Sequence, residues 1–558
     1  MNQATSDAGS LWRAFGVAAA VLEHVAKNGQ ARDRRSLRIG IVGAGFAGIG
    51  LAIQLKRAGF SNFVLFERAG GLGGTWRDNT YPGAACDVPS HLYSFSFAPK
   101  ADWRSRYASQ GEILGYLEEM VRRHDIAAHF RFGEAVARAA FDERTATWRV
   151  ETSSGKTEVV DVFLPAVGQL SLPSVPPFAG LESFCGAHFH SARWDHSVDL
   201  KGTRIAVIGS AASAVQIVPE LAKVAARVAV FQRSPNWLIP RLDWPYGPVR
   251  QALFRHLPGY RALTRASIYF FQEILFNALR TGSMCNRAMR RLALWHLSRQ
   301  VHDPAVRAKL VPQYELGCKR VLISDNYYPC FNEEHVELIT DPIDRFVPTG
   351  IQTVDGRCRE FDIAVFATGF DVRNCLRPVE IHGRRGLDLQ RHWSNGPEAY
   401  RGIAVPAFPN MFLLYGPNTN LGHNSILFMF ECQFAFIVQC LKRMASRGLA
   451  TLEVSPEATA RFNRALQKEL AATVWTTGCG NWYGDGGHIT ANWSSSTLRY
   501  WCETRRVDFG DFLEIRRHTP AGESRGVSRP QVVNDRSSPV ADTPDVAASS
   551  PARARFPS

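Results

Sequence analysis

Apolar residues in this chain recur in one order. A short β-type run comes first, then a glycine-rich turn, a helical stretch and a second β-type run. The first such unit covers residues 37–42, the glycines that follow, residues 46–58 and residues 63–66. The second repeats it at residues 204–208, 212–224 and 227–231. Strand–glycine–helix–strand is the βαβ pattern of a parallel sheet, and two copies of it predict two dinucleotide-binding domains. Residues 245–310 instead carry apolar positions at helical spacing. Residues 342–370 return to strand-like runs and end in 363–366. Residues 411–414, the run Gly416-Pro417-Asn418, and Asn424-Ser425 predict a strand, a loop and a helix start. The fold class is therefore α/β, with two Rossmann-like domains and a helical insert.

Composition narrows the class. The chain has 558 residues, 45% hydrophobic and 21% charged, which predicts several folded cores rather than disorder. No run approaches the roughly 18–20 consecutive apolar residues of a membrane-spanning helix. The runs at 16–22 and 267–279 are short, or broken by Gln272, Glu273 and Asn277. Eleven cysteines without a C-x-x-C pair argue against a disulfide scaffold, a structural zinc site and a dithiol redox centre, so a reducing, cytoplasmic location is expected. The formal charge of +14 is concentrated, because residues 241–310 hold twelve basic residues against Asp243, Glu273 and Asp303. That segment reads as a solvated arginine-rich helical surface, with a phosphate or an anionic membrane surface as the alternative partner. Residues 1–36 form an amphipathic extension in which Asp7 and Glu23 do not fit a signal peptide. Residues 517–558, rich in Pro, Ser, Ala and Arg, are expected to be disordered.

Each βαβ unit carries a glycine motif. Gly43-Ala44-Gly45-Phe46-Ala47-Gly48 fits G-x-G-x-x-G directly after a strand, and Glu67 closes the next strand. The glycines permit a tight turn, close approach of a pyrophosphate and close helix packing, while the terminal acid suits ribose hydroxyls. The helix N-terminus offers free N–H groups to the phosphates. The second motif, Gly209-Ser210-Ala211-Ala212-Ser213-Ala214, keeps only its first glycine, and the Ala211 methyl points where a pyrophosphate would approach. Arg233 stands where the first unit has Glu67, and a guanidinium there suits a 2′-phosphate, favouring NADPH over NADH.

Two further stretches are more specific. Residues 73–87, GGTWRDNTYPGAACD, fit (A/G)-G-x-W-x-x-x-x-(F/Y)-P-(G/M)-x-x-x-D, and residues 184–195, FCGAHFHSARWD, fit F-x-G-x-x-x-H-x-x-x-W-(P/D). Both resemble signatures of the type I Baeyer–Villiger monooxygenases, within the class B flavoprotein monooxygenases. The likeness covers roughly residues 37–515. It implies an FAD domain at 37–165 and 365–516, an NADPH domain at 175–240 and 315–362, and an insert at 241–314. Lys319-Arg320, in the run GCKRVL, looks like the family's G-x-(K/R)-R segment, and Ala367-Thr368-Gly369-Phe370 resembles the element by which the chain re-enters the FAD domain.

The resemblance implies FAD and NADPH as cofactors. Gly43, Gly45, Phe46, Gly48, Glu67, Gly74, Thr75, Trp76, Asp87 and Tyr93 are expected to bind cofactor, as are Gly209, Ser210, Ala211, Ala212, Ser213, Arg233, Ser234 and Lys319. It implies reduction of FAD by NADPH, addition of O2 to give a C4a-peroxyflavin, and attack on a ketone to yield an ester or lactone. Arg320 is the candidate catalytic cation and Asp87 the group that orients it, while His190 and Trp194 are expected to act structurally. The competing readings are an N- or S-oxygenating flavin monooxygenase, with a sulfide as substrate, and a flavin-binding protein without turnover, which Ala211 favours. No G-x-S-x-G or HExxH motif supports a hydrolase. His188 and His190 lack a third metal ligand at a recognised spacing, and only charge points to nucleic acid. The insert aromatics Tyr269, Phe270, Phe271 and Phe276, and the late aromatics Trp475, Trp482, Tyr483 and Trp493, read equally as core or as pocket and lid.

Overall fold

A computed structural model of the chain describes residues 36–485 and 488–517. The expectations for the N-terminal extension, up to residue 35, and for the tail from residue 518 lie outside the described residues. Two parallel sheets organise what is described. The first has the strand order Phe130–Phe132, Phe63–Glu67, Ile39–Val42, Val162–Pro165. The second has the order Val336–Ile339, Arg227–Phe231, Arg204–Ile208, Ile363–Phe366, Ala187–His190. In each, a central strand is buried along almost its whole length, as the unbroken apolar runs at Ile39–Val42 and Arg204–Ile208 require of a strand covered on both faces. Helices Phe46–Arg57 and Ala212–Leu221 make the crossovers.

The strands Arg204–Ile208 and Arg227–Phe231 match their sequence boundaries. The run 411–414 differs. It makes no regular ladder, pairing instead through isolated bridges of Met411 with Phe163 and of Phe412 with Ala404, and through single bonds such as that from the Leu414 N–H to the Pro165 carbonyl, 2.9 Å. Pro165 has no N–H to extend the pairing, and Asn410 and Tyr415 at the two ends have φ of 57° and 60°, which turns the chain away. The insert is helical as its spacing predicts, at Pro248–His256, Tyr260–Leu275, Met284–Gln300 and Pro304–Lys309. The long helix Ile426–Arg447 begins at Ser425, whose hydroxyl accepts from the Leu427 N–H, and its apolar face packs into the core around Phe46–Arg57. Among the described residues no helix is long and apolar enough to cross a membrane.

The cysteines hold one feature that their spacing does not announce. Cys318 and Cys479 form a disulfide although 161 residues separate them. Local spacing carries no trace of such a pair, because only the fold brings their Cα atoms to 6.3 Å. The bond is a single link between the Lys319-Arg320 segment and the loop before Asn481, not a scaffold. Thiol titration of the denatured, unreduced chain is expected to count the nine free cysteines, rising to eleven after reduction. A count of eleven before reduction would mean the pair is held as thiols.

Candidate active site

The glycine turns of both units sit at the carboxyl ends of their strands, where open α/β sheets bind ligands. Both turns open into one cavity of about 1200 Å³. That exceeds the roughly 300–1,000 Å³ of a single small-molecule site, so there is room for more than one cofactor-sized molecule. Every cofactor-binding candidate named from the sequence lines this cavity except Gly48.

The first turn fits a dinucleotide on its own geometry. Gly43 has φ of +110°, and a Cβ there would lie 2.6 Å from the Ala166 carbonyl. Gly48 faces inward instead, since a Cβ would lie 1.9 Å from the Gly43 carbonyl, so its role is to seat the helix against the turn. Glu67 is buried; its carboxylate accepts from the Ala44 N–H at 2.9 Å and the Ala69 N–H at 3.0 Å, which holds an acid at the strand end beside the turn. Trp76 donates from its indole to the Tyr93 hydroxyl at 3.1 Å, and Tyr93 packs edge-on against Phe46 with centroids 5.2 Å apart. These rings form an apolar wall of the cavity, and burial pushes the Tyr93 hydroxyl well above its usual range, so it stays neutral.

In the second turn, Ala211 takes the same backbone conformation as Gly45, with φ of −89° against −88°. Its methyl is therefore placed without strain, and only the close approach of a ligand is at issue. Ala214, at the third glycine position, is fully buried, so the second helix leaves room for a methyl where the first does not. Arg233 is exposed on the cavity and makes no ion pair among the described residues. Lys319 donates to the Ser234 hydroxyl at 3.0 Å, and burial together with the neighbouring Arg233 charge lowers its pKa. Two cations and a hydroxyl thus face the same part of the cavity, an arrangement that suits a phosphate.

Where the two lobes meet, Arg320 donates to one Asp87 oxygen from both Nε, at 3.0 Å, and a terminal nitrogen, at 2.6 Å. Their side chains are 42% and 29% exposed, and both line the cavity. The Asp87 charge holds the Arg320 pKa above the usual guanidinium range, so the cation is permanent. His190 stands apart from this chemistry. Its buried ring lies 2.9 Å from the Gly369 carbonyl and accepts from the Ala192 N–H at 3.1 Å, tying the strand Ala187–His190 to the Ala367–Phe370 turn. Trp194 packs edge-on against Phe189 at 5.0 Å.

The aromatic groups separate cleanly. Tyr269 and Phe276 are core, Phe270 and Phe271 are exposed, and none of them lines the cavity. Trp475, Tyr483 and Trp493 are buried, whereas Trp482 lines the cavity. Sequence reasoning missed Tyr415 and Asn420, which meet through a 2.7 Å hydrogen bond on the cavity wall, and Gln216, which faces it from the second crossover helix. None of these lies in a local motif; the positive φ of Tyr415 is visible only in the fold.

Comparisons with known proteins agree with this geometry. Residues 40–246 match the family model described as pyridine nucleotide-disulphide oxidoreductase. A Baeyer–Villiger monooxygenase of Pseudomonas aeruginosa is 39% identical over 85% of this chain and 90% of the relative. A steroid monooxygenase solved with NADP superimposes with a TM-score of 0.78 at 31% identity, covering 86% of this chain and 99% of that one. OTEMO, solved with FAD and NADP, gives a TM-score of 0.79 at 27% identity with the same coverage. The chain belongs to the Baeyer–Villiger monooxygenases, NADPH-dependent flavoprotein monooxygenases built on two Rossmann-type domains.

Proposed function

We propose that this enzyme inserts one oxygen atom of O2 beside the carbonyl of a small-molecule ketone, giving an ester or lactone. The observation that carries the proposal is the Arg320–Asp87 pair, held on a cavity that two dinucleotide turns also line. In this reading the sheet around Ile39–Val42 holds FAD and the sheet around Arg204–Ile208 holds NADPH. When bound, FAD supplies the redox chemistry, taking hydride from NADPH and activating O2. The chain's residues supply position, charge and exclusion of water.

Gly43 and Gly45 let the backbone approach the FAD pyrophosphate, and Glu67 takes the ribose hydroxyls. Arg233, Lys319 and Ser234 hold the 2′-phosphate of NADPH. Arg320 places a fixed cation beside the reacting centre, lowering the free energy of negative charge that develops there without any reorganisation. Asp87 fixes the direction of the guanidinium. Trp76, Tyr93 and Phe46 keep that side of the cavity dry. A cytoplasmic location belongs to the same proposal, supported by the nine cysteines that remain free.

Anaerobic addition of NADPH to the purified yellow protein tests the cofactor assignment. The flavin absorbance is expected to bleach and to return on admission of air; a spectrum unmoved by NADPH contradicts the assignment. Glu67→Ala is expected to weaken FAD retention about 10- to 100-fold, the range for a hydrogen bond to a charged group. Fluorescence of released flavin after gel filtration measures it.

A further inference from the structure

The run Tyr81-Pro82-Gly83-Ala84 is a tight turn closed by the Ala84 N–H on the Tyr81 carbonyl at 3.1 Å. Proline second and glycine third, with Gly83 at φ +81°, make it type II. The turn is pressed against the second crossover helix, since a Cβ at Gly83 would lie 2.7 Å from the Gln216 carbonyl. Just beyond it the chain is fixed to the FAD side. The Cys86 N–H donates to Ala108 and the Gln110 N–H to Ala84, both at 2.9 Å. Asp87 is the next residue along this rail.

Gln216 grips the rail from the other lobe. Its Nε2 donates to the Ala85 carbonyl at 3.0 Å, while its Oε1 accepts from the Tyr81 hydroxyl at 3.0 Å and the Ala85 N–H at 3.3 Å. The Tyr81 ring packs against the core of the second lobe, and burial pushes its hydroxyl up to about 12, so it remains a donor at working pH. The two lobes thus meet twice within three residues, at Ala85 through Gln216 and at Asp87 through Arg320. A carboxamide suits the first contact, because it presents a donor and an acceptor to one backbone residue at once.

We infer that Gln216 is a positioning residue, which fixes the NADPH-side helix on the Ala85–Asp87 rail and thereby holds the Asp87–Arg320 pair in its working geometry. The inference rests on the assignment of Asp87 and Arg320 made above, and it does not require Gln216 to touch substrate. Leucine, one atom shorter, is compatible with the helix and removes all three polar contacts. Glutamate keeps both acceptor contacts, loses the donor while ionised and regains it on protonation. Partial burial of this position favours the protonated form, as do the Asp87 and Glu220 carboxylates nearby, with the Arg320 cation on Asp87 opposing them.

The test uses the full FAD-loaded enzyme, with circular dichroism and flavin content to establish that each variant is folded. Amide deuterium exchange of the peptide spanning residues 81–88, with NADP+ present and no turnover, reads the clasp directly. Exchange is expected to rise about tenfold in Gln216→Leu, the change an ordinary hydrogen bond accounts for. Hydrogen peroxide released per NADPH is expected to rise with it. In Gln216→Glu both effects are expected at pH 8 and to shrink as the pH falls toward 6. Unchanged exchange in Gln216→Leu overturns the clasp. Faster exchange with unchanged peroxide release overturns the positioning role and leaves a purely structural contact. Should no ketone be converted while exchange still responds, the reaction assignment fails and the clasp stands.

Discussion

Arg320→Ala is expected to leave FAD bound and to lower ester formation by at least about 100-fold, the scale of removing one preorganised electrostatic group from an active site. The Arg320 side chain pairs with Asp87 rather than with the glycine turns, and it lines the cavity. The loss therefore falls on turnover rather than on cofactor retention. Arg320→Lys is expected to recover little, because a single ammonium cannot place donors where Nε and the terminal nitrogen both meet Asp87. Quantifying product against flavin content measures the effect. A variant with ordinary ester yield per flavin would remove Arg320 from the mechanism.

The second large effect concerns the coenzyme. Arg233→Ala is expected to raise the Michaelis constant for NADPH about 10- to 100-fold, as loss of a charge-assisted contact to phosphate implies, with NADH use nearly unchanged. Arg233 has no ion pair among the described residues to compete for its charge, so its full attraction is available to a ligand. Lys319 and Ser234, joined at 3.0 Å, are expected to set the residual affinity. Equal weakening of both coenzymes would mean that Arg233 shapes the site without reading the 2′-phosphate.

Much of this site was legible because its parts are local. A βαβ unit confines strand, turn, helix N-terminus and terminal acid to about 30 residues, so the places of Gly43, Gly48 and Glu67 in the fold are legible from spacing alone. The Asp87–Arg320 pair was reached differently. Each residue sits in a recognisable run, but they are 233 positions apart, and only resemblance to a family joined them before the structure did. What remained hidden depends on tertiary contact. Cys318 and Cys479 meet across 161 residues, and Gln216 looks like any polar position on an amphipathic helix until the Tyr81–Ala85 turn is laid against it. The run 411–414 shows the converse failure, since its apolar pattern fits a strand but the Pro165 backbone cannot complete the ladder. The formal charge of +14 divides in the same way. Arg233, Lys319 and Arg320 line the cavity, whereas exposed arginines of the insert, such as Arg255, Arg287 and Arg291, cover a helical surface.

The measurement closest to the central claim supplies the purified enzyme with NADPH, 18O2 and a panel of linear, cyclic, aromatic and steroid ketones. Mass spectrometry is expected to find an ester or lactone that has gained one 18O atom, with NADPH consumed in proportion. Oxygenation of sulfides or amines alone, with every ketone recovered unchanged, would contradict the account.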